Sequence, residues 1–272
     1  MSFVQSNYNP GLYQSLELQD STVDADIVEE TPFGCLLSTP SNVIWQMGNC
    51  FNVYTEFTVP TSCSIPNLEF IKYVENILHE PRFIIYDALE VSQKSQQVKG
   101  WKELLLSDGY KEEYDVSHCM GISPELLLSR PLQHKVTNIS LDNLNECLSI
   151  DTEKGFANEE WRRIRVKKQI ERNPSLIYLC WDRNGNPVAR VSMFIDKDNI
   201  GFVTRLDTLP TERRKGYGRD VLQYALEDLF RTYSCKSCYL FQVDEGAQRF
   251  YENLGFEMID SRAEHVFVKQ AA

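Results

Sequence analysis

The sequence predicts an α/β protein: a mixed, twisted sheet flanked by helices. Three observations predict it. Strand-like and helix-like stretches alternate through the second half of the chain in the order β-α-α-β-β-β-α-β-α-β-β, a pattern that places helices on the faces of a sheet. A strand, a basic glycine loop and an apolar-periodic helix follow one another in GFVTRLDTLPTERRKGYGRDVLQYALEDL, residues 201–229. A helix stopped by glycine, then an aromatic residue and a strand, occurs twice, in LLLSDGYKEEY and FYENLGFEM. Placing Gly109 on Gly255 sets Tyr110 against Phe256 and Leu105 against Tyr251, which points to an internal duplication, the alternative being a common helix-to-strand turn used twice. The chain is therefore read as two copies, residues 1–131 and 132–272, joined near Ser129-Arg130-Pro131.

Taken in order, Leu12, Leu16 and Leu18 suggest a short docking helix, and Val43–Trp45 and Cys50–Val59 two strands about the Gly48-Asn49 turn. Leu68, Ile71, Val74, Ile77 and Leu78 recur at helical spacing, with Pro66 before them and Pro81 after. A short strand at Arg82–Tyr86 and a helix at Val98–Ser107 lead to the Asp108-Gly109 stop and the strand from Tyr110. The second copy opens with a strand at Lys135–Ile139 and a short helix at Asn143–Leu148. A charged helix follows at Asn158–Ile170, with Trp161, Ile164 and Ile170 inward and its basic run solvated; Asn173-Pro174 ends it. Arg183-Asn184-Gly185-Asn186 marks a hairpin between Leu176–Trp181 and Val188–Ile195. The strand at 201–208 and that at Tyr239–Val243 are read as neighbours, and 256–269 supplies the last strands.

Composition bounds the function. At 272 residues there is room for one large domain or two small ones, and 42% hydrophobic and 25% charged residues are ordinary for a globular protein. No apolar run is long enough to span a bilayer, and MSFVQSNYNPGLY lacks the basic start and apolar core of a signal peptide. A cytoplasmic protein without a membrane partner is expected. The net charge of −11 argues against nucleic acid and mildly favours a cationic acceptor such as an amine. The eight cysteines read as reduced, buried thiols, and Cys235-x-x-Cys238 lacks the second pair of a structural zinc site, so no metal is expected.

Against that acidic background the loop at 213–219 is a local cluster of cations. A helix start leaves backbone N–H groups unpaired and carries partial positive charge. Gly216 and Gly218 let the backbone approach a ligand, and Arg213, Arg214, Lys215 and Arg219 add full charges. The loop reads either as a cradle for phosphate or diphosphate or as a basic turn capping a core helix. It is neither a P-loop nor a dinucleotide fingerprint.

Arg213-x-x-Gly216-x-Gly218 before a helix, with Tyr251-Glu-Asn-Leu-Gly-Phe256 at the end of the next, resembles the GNAT superfamily of N-acetyltransferases, over about residues 135–269. The resemblance implies the acyl-CoA N-acyltransferase fold, with acetyl-CoA as co-substrate. It implies two central strands that splay, a coenzyme arm on the main chain of Asp207, Thr208 and Leu209, and a diphosphate on the amides around Arg213, Arg214, Lys215, Gly216, Tyr217, Gly218 and Arg219. It implies direct attack of an amine on the thioester, with the phenol of Tyr251 as acid. Asp207 is the candidate base, directly or through water, and otherwise a turn residue. Asp244 stands where the family often has asparagine, as a further coenzyme contact. The first copy has no G-x-G and carries Leu105 in place of the tyrosine, so it is read as degenerate. The alternatives are a non-catalytic acyl-CoA-binding or scaffold protein, and an acetyltransferase acting on proteins or peptides. The acceptor and the oligomeric state stay open.

Overall fold

The computed structural model describes residues 10–42, 49–55, 65–89, 95–150, 159–171, 176–242 and 245–269. The strand expected at Val43–Trp45, Gly48 of the turn and the helix stop at Asn173-Pro174 lie outside them. The chain forms two compact units, one built on Cys119–Ile259 and the other on Tyr8–His118 with Asp260–Ala272.

The second of these units contains helix α1 (Pro10–Asp24), strands β1 (Ile27–Thr31), β2 (Gly34–Ser38) and β3 (Cys50–Val53), helix α2 (Leu68–Ile77), β4 (Arg82–Ala88), α3 (Gln96–Ser107) and the start of β5 (Lys111–Ile122). Both middle helices begin where side chains cap them. Asn67 accepts from the Phe70 amide, and Ser95 from those of Gln97 and Val98. Their apolar faces, Ile71, Val74, Val98, Trp101 and Leu105, pack with Leu36, Phe51, Phe83 and Phe267. The strands run β1-β2-β3 antiparallel, then β4 parallel to β3. On the far side of β4 lies the C-terminal strand, with Arg262–Val268 antiparallel to Arg82–Ala88.

The unit on Cys119–Ile259 contains β6 (Lys135–Asn138), α4 (Leu144–Ser149), α5 (Glu159–Glu171), β7 (Leu176–Trp181), β8 (Pro187–Ile195), β9 (Ile200–Thr208), α6 (Tyr217–Arg231), β10 (Ser237–Gln242), α7 (Glu245–Glu252) and the first residues of β11 (Glu257–Val268). Strands β6 to β9 are antiparallel neighbours and β10 is parallel to β9. Alternation along β7 makes two layers. Tyr178 and Cys180 pack with Val221, Leu222, Ala225 and Leu226 of α6. Ile177 and Leu179 pack with Cys147, Leu148 and Val166 from α4 and α5. The hairpin at Arg183–Asn186 forms as expected, with the Asp182 carboxylate accepting from the Asn184 and Asn186 amides. In α5 one expectation is reversed: Ile164 is exposed and Arg165 is buried. The Arg165 guanidinium lies 5.8 Å from the Trp161 ring centre, a cation–π contact one turn away that lets the cation go inward.

The element order repeats. Three antiparallel strands, a helix, a parallel strand, a helix and a final strand occur in both halves, and both glycine turns close alike. Tyr110 N–H donates to Leu105 O at 3.1 Å, and Phe256 N–H to Tyr251 O at 3.2 Å. The compact units do not divide at 131/132, however. The residues from Asp260 onward, expected to complete the second half, complete the sheet of the first. Nor are there two strands after Phe256. Arg262 bonds the Asp260 carboxylate on the same strand face at 2.8 Å, and one strand runs unbroken.

Lys269, just past that strand, binds Glu75 and Asp108, both at 2.7 Å, and Lys72 binds the same two carboxylates at 2.9 and 3.0 Å. Burial pushes both carboxyls up, but the two lysines outweigh it and hold both below the ordinary range. A depressed folded pKa gives stability that is complete above about pH 5 and lost as pH falls through the folded values. Lys269→Met should therefore destabilise the chain at pH 7 and much less at about pH 3. Denaturant titrations of both proteins at the two pH values check this.

Candidate functional site

Strand β9 is bent where it matters. Between β8 and β9 the register shifts: Met193 faces Val203 but Ser192 faces Arg205, so Thr204 is the extra residue of a bulge. The Thr204 hydroxyl donates to Ser192 O at 3.2 Å. A bulge bends its strand and interrupts regular pairing. Accordingly β10 pairs with Ile200–Val203 and, among the described residues, with nothing of β9 beyond, while β9 stays on β8 up to Thr208. The two parallel strands part at the bulge.

Past the parting, β9 runs through a short turn at Pro210–Glu212 to α6. Arg214 and Gly216 both take left-handed backbone, at φ +65° and +94°. Gly216 is the N-cap of α6 and has no side chain to offer, so the first-turn amides are left for another acceptor. A Cβ on Gly218 would stand 2.9 Å from the Thr208 hydroxyl, so the helix start lies tight against the strand end.

A cavity of about 1370 Å³ opens here. Of the expected site residues, Asp207, Thr208, Arg213, Arg214, Gly216, Tyr217, Gly218, Arg219 and Tyr251 line it. Leu209 and Lys215 do not; Lys215 pairs with Glu212 at 3.0 Å. Asp244 lies outside the described residues. Arg219 differs from expectation. Its guanidinium donates to Asn253 O at 2.7 Å and Leu128 O at 2.9 Å, so it fastens the backbone. Burial and then the neighbouring Arg130 pull its pKa down. Asp207 is a strand residue rather than a turn residue. Arg190, fully buried, donates to its carboxylate at 2.8 Å, and Arg205 stands 3.9 Å away.

Tyr251 is half-buried on the last turn of α7, between Phe250 and Phe256. Gly255 fixes that turn. It has φ +103°, and a Cβ there would lie 1.9 Å from Leu126 O. Gly255→Ala is expected to cost about 2–4 kcal/mol, from left-handed strain plus the clash. A thermal melt checks the loss.

Residues 141–256 match the model of the Acetyltransferase (GNAT) family. Solved structures share the fold across nearly the whole chain. A functionally unknown conserved protein from Staphylococcus epidermidis has a TM-score of 0.64 at 15% identity, covering 93% of this chain and 98% of its own. A GCN5-related N-acetyltransferase from Kribbella flavida has 0.63 at 16%, covering 96% of each. A tandem GNAT protein from the clavulanic acid biosynthesis pathway has 0.60 at 9%, covering 88% and 80%. No curated protein matches the sequence. The family and fold support acyl transfer, and the parted strands and the glycine loop lie inside the matched segment.

The cavity includes residues the sequence did not single out: Arg130, Arg249, Phe250 and Asn253. Arg249 and Asn253, four residues apart at the end of α7, lie within two residues of Tyr251 in sequence, and that proximity is their only sequence signal. Arg190 and Arg130 depend on long-range contacts and left none. Among the described residues no helix is long and apolar enough to cross a membrane. The seven described cysteines are buried and unbridged, and burial pushes the Cys235 thiol up to about 12.

Proposed function

We propose that the chain is an acyl-CoA-dependent N-acyltransferase, moving an acetyl group from acetyl-CoA to the amine of a small-molecule acceptor by direct attack. One observation carries it: β9 parts from β10 at a bulge and leads directly into a left-handed glycine loop at a helix start, with Tyr251 on the same cavity. Acetyl-CoA brings the activated thioester. The main chain at Asp207–Leu209 offers its amide arm a strand edge, and the amides from Arg213 to Gly218 its diphosphate. Parting the strands gives the thioester a fixed place beside the acceptor, and alignment supplies much of the rate. The Tyr251 phenol donates a proton to the departing thiolate.

A second reading, a protein that holds acyl-CoA without transferring it, is favoured by Asp207. Its carboxylate already takes a charged hydrogen bond from Arg190, which leaves it ill-suited to strip an acceptor ammonium. Thiol release from acetyl-CoA with a panel of amines separates the two. Amine-dependent release supports transfer; binding with no release under any amine supports the second reading.

A further inference from the structure

The cavity holds more positive charge than a diphosphate on backbone amides requires. Arg130, Arg213, Arg214, Arg219 and Arg249 line it, against Asp207 and Glu212. Asp207 is taken by Arg190 and Glu212 by Lys215, and Arg219 is spent on backbone carbonyls. Among the described residues Arg130, Arg214 and Arg249 have no hydrogen-bond or ion-pair partner for their guanidinium groups. In a chain of net charge −11, unpaired guanidiniums facing one cavity call for an anion. Arg214 belongs to the loop. Arg130 and Arg249 do not, and each is brought to the cavity by a fastened segment.

Arg130 rides on a strap, residues 128–134, that crosses α6 and is fixed by side chains of that helix. Arg219 holds Leu128 O, Glu227 accepts from the Ser129 hydroxyl at 2.8 Å, and Gln223 donates to Arg130 O at 2.7 Å. The buried Asp220 carboxylate accepts from the Gln133 and His134 amides and pairs with His134 Nδ1, at 2.9, 3.0 and 2.8 Å. Arg249 sits on α7, one turn before Asn253, whose carbonyl takes the other arm of the Arg219 guanidinium. One guanidinium thus ties together the two segments that carry Arg130 and Arg249.

We infer that Arg130 and Arg249 form a second phosphate subsite, distinct from the glycine loop, that takes the ribose 3′-phosphate of the coenzyme. This rests on the acyl-CoA reading above. A planar guanidinium matches phosphate oxygens two at a time, and a pair of them suits a dianionic monophosphate. Arg219 is the positioning residue of the subsite, through Leu128 and Asn253.

Calorimetric titration of the full chain with acetyl-CoA and with acetyl-3′-dephospho-CoA tests this, on wild type, Arg130→Gln and Arg249→Gln. Wild type should bind acetyl-CoA at least about tenfold tighter than the dephospho form, and each variant should bring that ratio close to one. Each ratio compares two ligands on one protein, so a general loss of folded protein cancels. Wild type that binds both coenzymes equally overturns the subsite and leaves the acyl-CoA reading standing, and this arm decides even where a variant fails to fold. A variant that keeps the wild-type ratio removes its arginine from the subsite. Binding of neither coenzyme overturns the acyl-CoA reading itself.

Discussion

Tyr251→Phe is expected to lower kcat by about 10²–10⁴ while changing KM for acetyl-CoA little. The reason is where the phenol sits. The ring is held by Phe250 and Phe256, and the turn beneath it by Gly255, so phenylalanine can take the same place. Only the hydroxyl is lost, and with it the donor for the leaving thiolate. An effect on kcat with KM preserved is what loss of an interaction made in the transition state produces. If steady-state kinetics instead show a raised KM at unchanged kcat, the tyrosine binds coenzyme and the proton comes from elsewhere.

Gly216→Val is expected to weaken coenzyme binding by about ten- to a hundredfold, far more than Arg214→Gln or Lys215→Gln. Nothing crowds a Cβ at Gly216; the nearest atom, His134 Cε1, is 3.5 Å away. The cost lies in the backbone, because φ +94° is closed to a β-branched residue. Valine must move the loop to relax, and the first-turn amides of α6 move with it. Arg214 and Lys215 are exposed, and their charges act on the ligand through solvent. Affinities of the three variants for acetyl-CoA, measured in one buffer, give the order. Equal losses in all three would mean that side-chain charge, not the amides, holds the anion.

Much of the fold is written in local signals. Asn67 and Ser95 cap their helices, Gly185 closes its hairpin, and Gly109 and Gly255 stop theirs, so those boundaries fall close to expectation. Which strands pair is a different matter. Periodicity gives β11 a buried face through Ala263, His265 and Phe267 but does not name the neighbour, and it is β4 of the first half. Within the site the decisive feature is a single inserted residue. Without the bulge at Thr204, the register set near the Asp196–Ile200 turn would put Leu206 opposite Arg190. One residue of slip puts Asp207 there. That ion pair, and the parting of β9 from β10, follow from a backbone detail for which Thr204 gives no sequence sign. The backbone role of Arg219 is hidden for a related reason: the carbonyls of Leu128 and Asn253 that its guanidinium bonds are distant in sequence.

The proposed activity requires the loop from Arg213 to Gly218 to grip a diphosphate, and titrating acetyl-CoA into the full chain in a calorimeter tests that directly. A saturable one-to-one isotherm in the micromolar range, weakened about ten- to a hundredfold in Gly216→Val, is the result predicted. No heat from the wild-type protein at about millimolar coenzyme, a tenfold or greater excess over any affinity of about 100 μM or tighter, would contradict it.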